Sequence, residues 1–519
     1  MKFSLKTLIP AVALALIAVI GCAKEEGPQY VFGTSENPLT GVVTDDQGNP
    51  LEGITVTDGF TVTRTDSKGA YSIEARNKEA YYVYYTIPAD AVIETDANGR
   101  PCFYHKLTAN VDNYDFVIKK QAVEQKFRIL TLGDPQVRAS NSGLVRLAEE
   151  TVPDVREYVA SKGGDMPTYA ITMGDLVHNE WHLFPDILKL LSESSLSVPC
   201  FSVIGNHDHE FNGTTAVDDI RGRHKYEAFA GPVNYAFDRG NCHILVLDNI
   251  NHRGQDENSY SEELTEQIKE WMTAELSNVS REKTLLVFAH APFVNSDVNN
   301  AIIDIFAEFA DVRIFAGHTH SLYNTEVTAT NGKVIPVNVV GTTNGVDWCG
   351  TICGDGSPHG YGNFEIEGGT VKNYIYKPVK MDEGFQMRMY KSDEFASFKA
   401  STLSGSPTFT FGVKEPKVML NIWNVTDAWT FDIYENDTLV EGAELTLEPS
   451  AYDVWACFFF YQIKKRSTFS FCQRKDHIFS YTMQNPEASL RVVAHDEYGN
   501  TFEQTIFTTS KETDYPSGY

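Results

Sequence analysis

Gly205-Asn206-His207-Asp208 and Gly317-His318-Thr319-His320 are the two stretches on which the reading of this chain turns. Three shorter ones fall into line with them: Gly133-Asp134-Pro135-Gln136, Gly174-Asp175 and Ala289-His290. Each follows a short apolar run, at Phe127 to Leu132, Tyr169 to Met173, Cys200 to Ile204, Thr284 to Phe288 and Val312 to Ala316. Apolar runs of this length without alternation fit strands covered on both faces. Asp134 and Asp175 stand 41 residues apart, and Asp175 and Asn206 stand 31 apart. Such gaps hold a helical crossover between parallel strands. Glu149 to Lys162 and Leu183 to Ser194 supply the helix-like segments. The predicted fold class is α/β, with the polar strand ends meeting along one sheet edge.

The residue types at those ends point to metal chemistry. Asp and Asn offer hard oxygens, and neutral His offers nitrogen. That mixture suits Mn, Fe, Zn or Mg rather than a thiolate metal. Two ions about 3.5–4 Å apart share a carboxylate and activate water for in-line attack on phosphorus. A nearby imidazole then protonates the leaving oxygen. Singly, each motif is weak, because a lone Gly-Asp or a buried His is usually structural. The ordered set of five carries the inference.

The segment from about Phe127 to Lys377 resembles the calcineurin-like metallophosphoesterase superfamily, on the two tetrapeptides above all. The resemblance implies a four-layer α/β/β/α sandwich and two divalent metal ions, Mn²⁺ favoured over Fe, Zn or Mg. It implies Asp175 as the bridging ligand. Asp134, Gln136 and His320 complete one metal site, and Asn206, His290 and His318 the other. His207 is implied as the general acid, not a ligand. The first motif departs from the family's usual Asp-x-His. Gln136 is neutral and a poorer donor than imidazole, and Pro135 stiffens the turn. This spelling resembles an Asp-Pro-Gln subgroup and suggests a labile first site favouring Mn²⁺ or Mg²⁺. His178 and Asn179 follow the second motif, and Asp208 and His209 extend the third. His178, Asn179 and Asp208 are therefore candidates for substrate contact. The turn-rich loop Trp348 to Tyr361 adds His359 and Tyr361, because a similar loop lies near the cleft of related bacterial phosphoesterases.

The implied activity is hydrolysis of phosphate esters, phosphomonoesters first. One alternative is a phosphodiesterase of nucleotides or glycerophospho compounds. Another, of a different class, is a tethered binding protein for phosphorylated or glycan ligands whose core no longer turns over. Intact His207, His318 and His320 argue against it.

Residues 1–21 read as a signal peptide: Lys2 and Lys6, an apolar core from Leu8 to Ile20, then Gly21-Cys22. The end resembles a lipoprotein processing site, with Cys22 lipidated and residues 22–35 as a tether. The apolar run is short for a membrane span, so the membrane is engaged through the lipid. Ala23-Lys24-Glu25-Glu26 resembles a surface-export tag. The expected location is the cell envelope, as an outer-membrane lipoprotein, with surface display a further option. The formal charge of −27 becomes −29 without residues 1–21, which hold two Lys and no acid. Such a field repels polyanions, so no nucleic-acid partner is expected. The expected substrates are phosphorylated small molecules or compounds of phosphoglycan or phospholipid type. Of eight Cys, Cys349 with Cys353 and Cys457 with Cys472 are the local pairings open in an oxidising compartment.

The chain is too long for one core, so three bodies are expected. Residues 36–120 alternate short β-rich runs with turns such as Asp45 to Pro50. Asp66-Ser67-Lys68-Gly69 reads as a hairpin turn. This part resembles a transthyretin-like or carboxypeptidase-regulatory β-sandwich. Residues 125–378 form the catalytic domain, with a hairpin-like pair at Tyr235 to Asp238 and His243 to Asp248 and a helix over Ser261 to Leu276. Residues 379–519 return to β patterning, with expected strands at Lys417 to Trp423, Trp429 to Tyr434, Val454 to Ile463, Leu490 to His495 and Thr501 to Thr508. They resemble the β-rich C-terminal domain of some lipoprotein phosphoesterases.

Overall fold

Among the described residues, eleven strands build the two main sheets of the central domain: β1 Lys126–Leu132, β2 Thr168–Thr172, β3 Cys200–Ser202, β4 Tyr235–Arg239, β5 Cys242–Leu247, β6 Thr284–Ala289, β7 Asp311–Ala316, β8 Tyr323–Thr328, β9 Val334–Val339, β10 Gly360–Glu367 and β11 Thr370–Pro378. They form two sheets, ordered β3-β2-β1-β10-β11 and β4-β5-β6-β7-β9-β8. In the first sheet β1, β2 and β3 are parallel. In the second, β5, β6, β7 and β9 are parallel. The structure is a computed structural model. It describes residues 37–505 except 75–76, 78, 141, 165, 214–217, 346–350, 396–416 and 465–471. The leader, the tether with Cys22, and Trp348 and Cys349 lie outside the described residues.

The two sheets meet through aromatic side chains. Phe315 of β7 packs edge-on against Phe364 of β10, and Phe201 of β3 stacks on Phe237 of β4 at 4.2 Å. Helices cover the outer faces, giving the α/β/β/α order. On the second sheet, Glu266–Ser277 buries Ile268, Trp271, Met272 and Leu276 at helical spacing. This helix starts later than Ser261, because Thr265 caps it through Ile268 N and Tyr260–Ser261 pairs with Asn251–His252. On the first sheet, Val152–Ser161 and Phe184–Leu190 pack over Leu130, Ala170 and Ile204. A π turn at Leu147–Thr151 precedes Val152–Ser161. Pro153 enters at that point, where a widened turn relieves its clash with the carbonyl of Glu149, four residues back.

Residues before the central domain form two small sheets. Leu39–Asp45 lies between Ala70–Ile73 and Phe116–Ile118, while Thr55–Thr57 lies between Val62–Arg64 and Tyr82–Tyr85, with Tyr104–Lys106 outside. Asp66 does organise a turn, accepting from Lys68 N and Ala70 N. The strands beside it join different sheets, so it is not the hairpin expected.

After the central domain come two four-stranded sheets. One contains Val418–Asn421 and Ile478–Tyr481, the other Thr430–Glu435, Leu490–His495 and Thr501–Thr505. The strand expected over Val454 to Ile463 is instead a helix, Val454–Phe458, continued by a π turn to Ile463. Asp453 caps it, accepting from Trp455 N and Ala456 N. A wholly buried apolar run carries no period that separates strand from helix, and the cap decides it. Cys457 and Cys472 are free buried thiols rather than a disulfide.

The described residues form one compact unit. Tyr84 Oη donates to Asn234 O at 2.6 Å, and Trp271 Nε1 to Thr57 Oγ1 at 3.1 Å, which ties the first β domain to the central one. Among the described residues, no helix is long and apolar enough to cross a membrane.

Candidate metal centre

The five motifs sit just past the C-terminal ends of β1, β2, β3, β6 and β7, where an α/β sheet opens toward a ligand. The chain turns sharply there. Asp134, Gln136, Asp175, His318 and His320 all hold φ between +37° and +67°. For residues other than Gly this left-handed geometry costs about 1–2 kcal/mol each, and such strain gathers at functional sites. The glycines make room. A Cβ on Gly174 would stand 2.4 Å from His290 Nδ1, and one on Gly317 would stand 2.4 Å from Asp134 Oδ2.

Two groups of donors result, and they share one residue. Asp175, His290 and His318 form one; Asp134, Asp175 and His320 form the other. In the first, His290 Nε2 lies 3.0 Å from Asn206 Oδ1, 3.1 Å from His318 Nδ1 and 3.4 Å from Asp175 Oδ1. In the second, His320 Nε2 lies 3.6 Å from Asp134 Oδ1. These separations suit donors converging on ions with bonds of about 2.0–2.2 Å. Backbone contacts aim the side chains. His290 Nδ1 donates to Met173 O at 2.6 Å, which leaves Nε2 as the donor atom. Asp134 accepts from His318 N with both oxygens at 3.0 Å.

The electrostatics call for cations. Burial pulls the His290 imidazole down, but the charge and hydrogen bond of Asp175 and the charge of Asp134 outweigh it and lift the group to about 10. Burial pushes Asp134 well above the carboxylate range. Burial also holds His320 at about 4, which keeps its ring neutral as a metal ligand requires. Asp, Asn and His therefore fit a pair of divalent ions, and Asp175 is the residue both would touch.

Gln136 gives its amide N–H to Asp175 Oδ2 at 2.9 Å. In this orientation it clamps the shared carboxylate. A half-turn of the amide would present its oxygen instead.

His207 stands at the rim. Its backbone N donates to Asp175 Oδ1 at 2.9 Å, and its Nδ1 bonds Asn179 Oδ1 at 2.9 Å. His178 stacks on it at 4.1 Å. Asn179 Nδ2 in turn donates to Glu257 Oε2 at 2.6 Å. His178 and Asn179 thus face the same cleft as His207. The other three substrate candidates do not. Asp208 is buried and accepts from Leu176, Val177 and Gly205 N, so it fastens the second motif to the third. Tyr361 is 0% exposed and donates to Asp154 at 2.7 Å; His359 is 2% exposed and bonds Thr343 O. Both belong to the packing under Val152–Ser161. The chain leaves β9 through that loop and is pulled inward at Gly360, which hydrogen bonds Thr342 O.

The sequence reading missed one wall of the cleft. The hairpin Asn251–His252/Tyr260–Ser261 brings Glu257 near His178, Tyr260 edge-on to His318, and Glu262 to 3.3 Å from His318 Nε2. Polar residues in a turn-rich segment look like any solvated loop, and no signal in the sequence set them apart. It also missed a brace from the C-terminal domain. Gln473 donates to Thr319 O at 2.7 Å and accepts from Ser321 Oγ at 2.6 Å. Gln473→Ala is expected to loosen the turn bearing His318 and His320 and weaken metal affinity roughly 10- to 100-fold. Chelator competition on the folded protein measures it, and unchanged affinity would remove Gln473 from the site.

Comparison with known proteins bears on the same segment. Residues 127–322 match the calcineurin-like phosphoesterase family, residues 37–121 its N-terminal domain and residues 338–502 its C-terminal domain. No curated protein matches the chain. Among solved structures, a purple acid phosphatase from yellow lupin (Lupinus luteus) seeds is 12% identical, over 66% of this chain and 72% of that one, with a TM-score of 0.31. A phosphopantetheinyl hydrolase from Mycobacterium tuberculosis is 13% identical, over 42% of this chain and 91% of that one, with a TM-score of 0.26.

Proposed function

This chain belongs to the calcineurin-like phosphoesterases, and from that premise we propose that it is a phosphomonoesterase of the cell envelope working with two divalent ions around Asp175. Its activity is metal-dependent hydrolysis of phosphate esters. The observation that carries the reading is the sharing of Asp175 between two donor groups. When bound, such a pair of ions neutralises phosphoryl oxygens and lowers the pKa of the attacking water.

The rest falls to side chains. Asp175 and Asp134 supply the negative charge that holds cations, and Met173 O keeps the His290 ring pointed at them. Asn179 Oδ1 accepts from His207 Nδ1, so Nε2 hands a proton to the leaving oxygen only from the imidazolium form, which burial disfavours and the charge of Asp175 favours. His178 beside it adds a second imidazole. A monoester has three unesterified oxygens to engage the ions and these rings, where a diester has two. This supports monoesters as the preferred class, on phosphorylated small molecules, phosphoglycans or phospholipid-type compounds.

Mn²⁺ is the favoured metal, because Gln136 brings a neutral amide where an imidazole would bind more tightly. Tightly held iron on the Asp134 side, in protein purified without added metal, would contradict this. The outer-membrane location, with a lipid on Cys22, rests on residues 1–26 of the sequence. Protease shaving of intact cells tests surface display.

The deciding experiment compares p-nitrophenyl phosphate with bis-p-nitrophenyl phosphate on metal-stripped protein with Mn²⁺ restored. The expected result is faster monoester turnover. A reversed ratio would move the assignment to phosphodiesters. No turnover with Mn²⁺, Zn²⁺, Fe²⁺ or Mg²⁺ in folded protein would favour the binding-protein alternative.

A further inference from the structure

A third group of ligand-type side chains is sealed inside the central domain, apart from the two around Asp175. His209, Asp219 and Asp248 are 0%, 7% and 0% exposed, and one donor atom from each lies within 4.8 Å of the others. They come from three places: the loop after β3, the short helix Asp219–Gly222, and the end of β5.

Each side chain uses one polar atom on the backbone. His209 Nδ1 bonds Gly205 O at 2.9 Å, Asp219 Oδ1 accepts from His252 N at 3.0 Å, and Asp248 Oδ1 accepts from Ile250 N at 3.1 Å. His209 Nε2, Asp219 Oδ2 and Asp248 Oδ2 remain as buried atoms with no hydrogen-bond partner. The carbonyl of Gly205 requires the proton on Nδ1, so a neutral His209 carries its lone pair on Nε2. That atom stands 3.4 Å from Asp248 Oδ2 and 3.6 Å from Asp219 Oδ1. A lone pair facing two carboxylates needs a cation between them.

Two cations are candidates, a proton and a metal ion. A proton on Nε2 would draw a carboxylate in to about 2.7–2.9 Å, and neither has come that close. Two donors bound at about 2.0–2.1 Å to one tetrahedral ion stand roughly 3.4 Å apart. The observed pair of distances, 3.4 and 3.6 Å, repeats the 3.4 Å of His290 to Asp175 and the 3.6 Å of His320 to Asp134. Charge balance agrees. Arg223 Nη1 lies 3.7 Å from Asp219 and 4.0 Å from Asp248, and Glu227 lies 3.8 Å from Arg223 Nε. Burial lifts the Glu227 carboxyl to about 7, and the Arg223 guanidinium offsets one of the two carboxylates of the cage, so at least one negative charge is left for a cation to cancel. His252 is not part of the set, because its Nδ1 accepts from Gly254 N and its Nε2 must carry the hydrogen.

We propose that His209 Nε2 and the carboxylates of Asp219 and Asp248 bind a third divalent transition-metal ion, separate from the binuclear centre. One imidazole and two carboxylates suit Zn²⁺ or Mn²⁺. The site is closed to substrate, so the ion is structural. It pins the loop that carries Asn206 and His207, three and two residues before His209, to the end of β5.

The test is Zn²⁺ titration of the metal-stripped full-length chain, with ions counted by mass spectrometry, and an anomalous map at the zinc edge. The expected count is three per chain, with one peak between His209, Asp219 and Asp248. Asp248→Asn and His209→Gln should each bind two, and Asp175→Asn should lose the binuclear pair and keep one. A wild-type count of two with no peak at His209 would overturn the proposal and leave an imidazolium in the cage. So would a third ion retained by both variants. Should the variants fail to fold, the wild-type map decides.

Discussion

Asp175→Asn is expected to lose both ions of the binuclear centre and lower turnover by about 10⁴ or more, the scale seen when a constellation that acts as one unit is broken. The shape of the side chain is kept, so the protein should still fold. The change is in charge and in hydrogen bonding. Both donor groups run through this carboxylate. His207 N donates to Oδ1 and Gln136 Nε2 donates to Oδ2. An amide at this position removes the shared negative charge. It also turns an NH₂ against one of those two N–H groups, so His207 or Gln136 must shift. Metal counting beside turnover checks the result. Two ions retained at this centre would mean that Asp175 does not hold them.

His207→Ala is expected to keep the metals and lower turnover by ~10²–10⁴, the usual range for an acid–base group. His207 belongs to neither group around Asp175, and its ring is tied to Asn179 instead. The loss should depend on the leaving group. A p-nitrophenolate leaves with little help, whereas an alkoxide needs a proton, so the variant should suffer more on an alkyl phosphate. Equal losses on both substrates would point to phosphate binding rather than proton transfer as the role of His207.

Much of this arrangement was legible because strands and metal ligands leave marks in the same places. Five apolar runs became β1, β2, β3, β6 and β7 within a few residues, and each ended at its polar motif. Continuous burial on both faces makes such strands readable. The same cue failed at Val454 to Ile463, where burial on all sides fits a helix equally well and Asp453 caps one. His359 and Tyr361 were read by loop position, but position does not tell which way a side chain turns. Both turned into the core. Glu257, Tyr260, Glu262 and Gln473 reach the cleft only through tertiary packing, from a hairpin and a domain that no local pattern joins to the motifs. His209 sat in plain sight beside His207, yet its partners Asp219 and Asp248 are ordinary acids until the fold buries them.

The most direct test of the central claim is an anomalous scattering map of crystals reconstituted with Mn²⁺. Apart from the third peak proposed at His209, the predicted result is two peaks about 3.5–4 Å apart on either side of the Asp175 carboxylate, one beside Asn206, His290 and His318, the other beside Asp134 and His320. A single peak, or two peaks that do not share Asp175, would contradict the account.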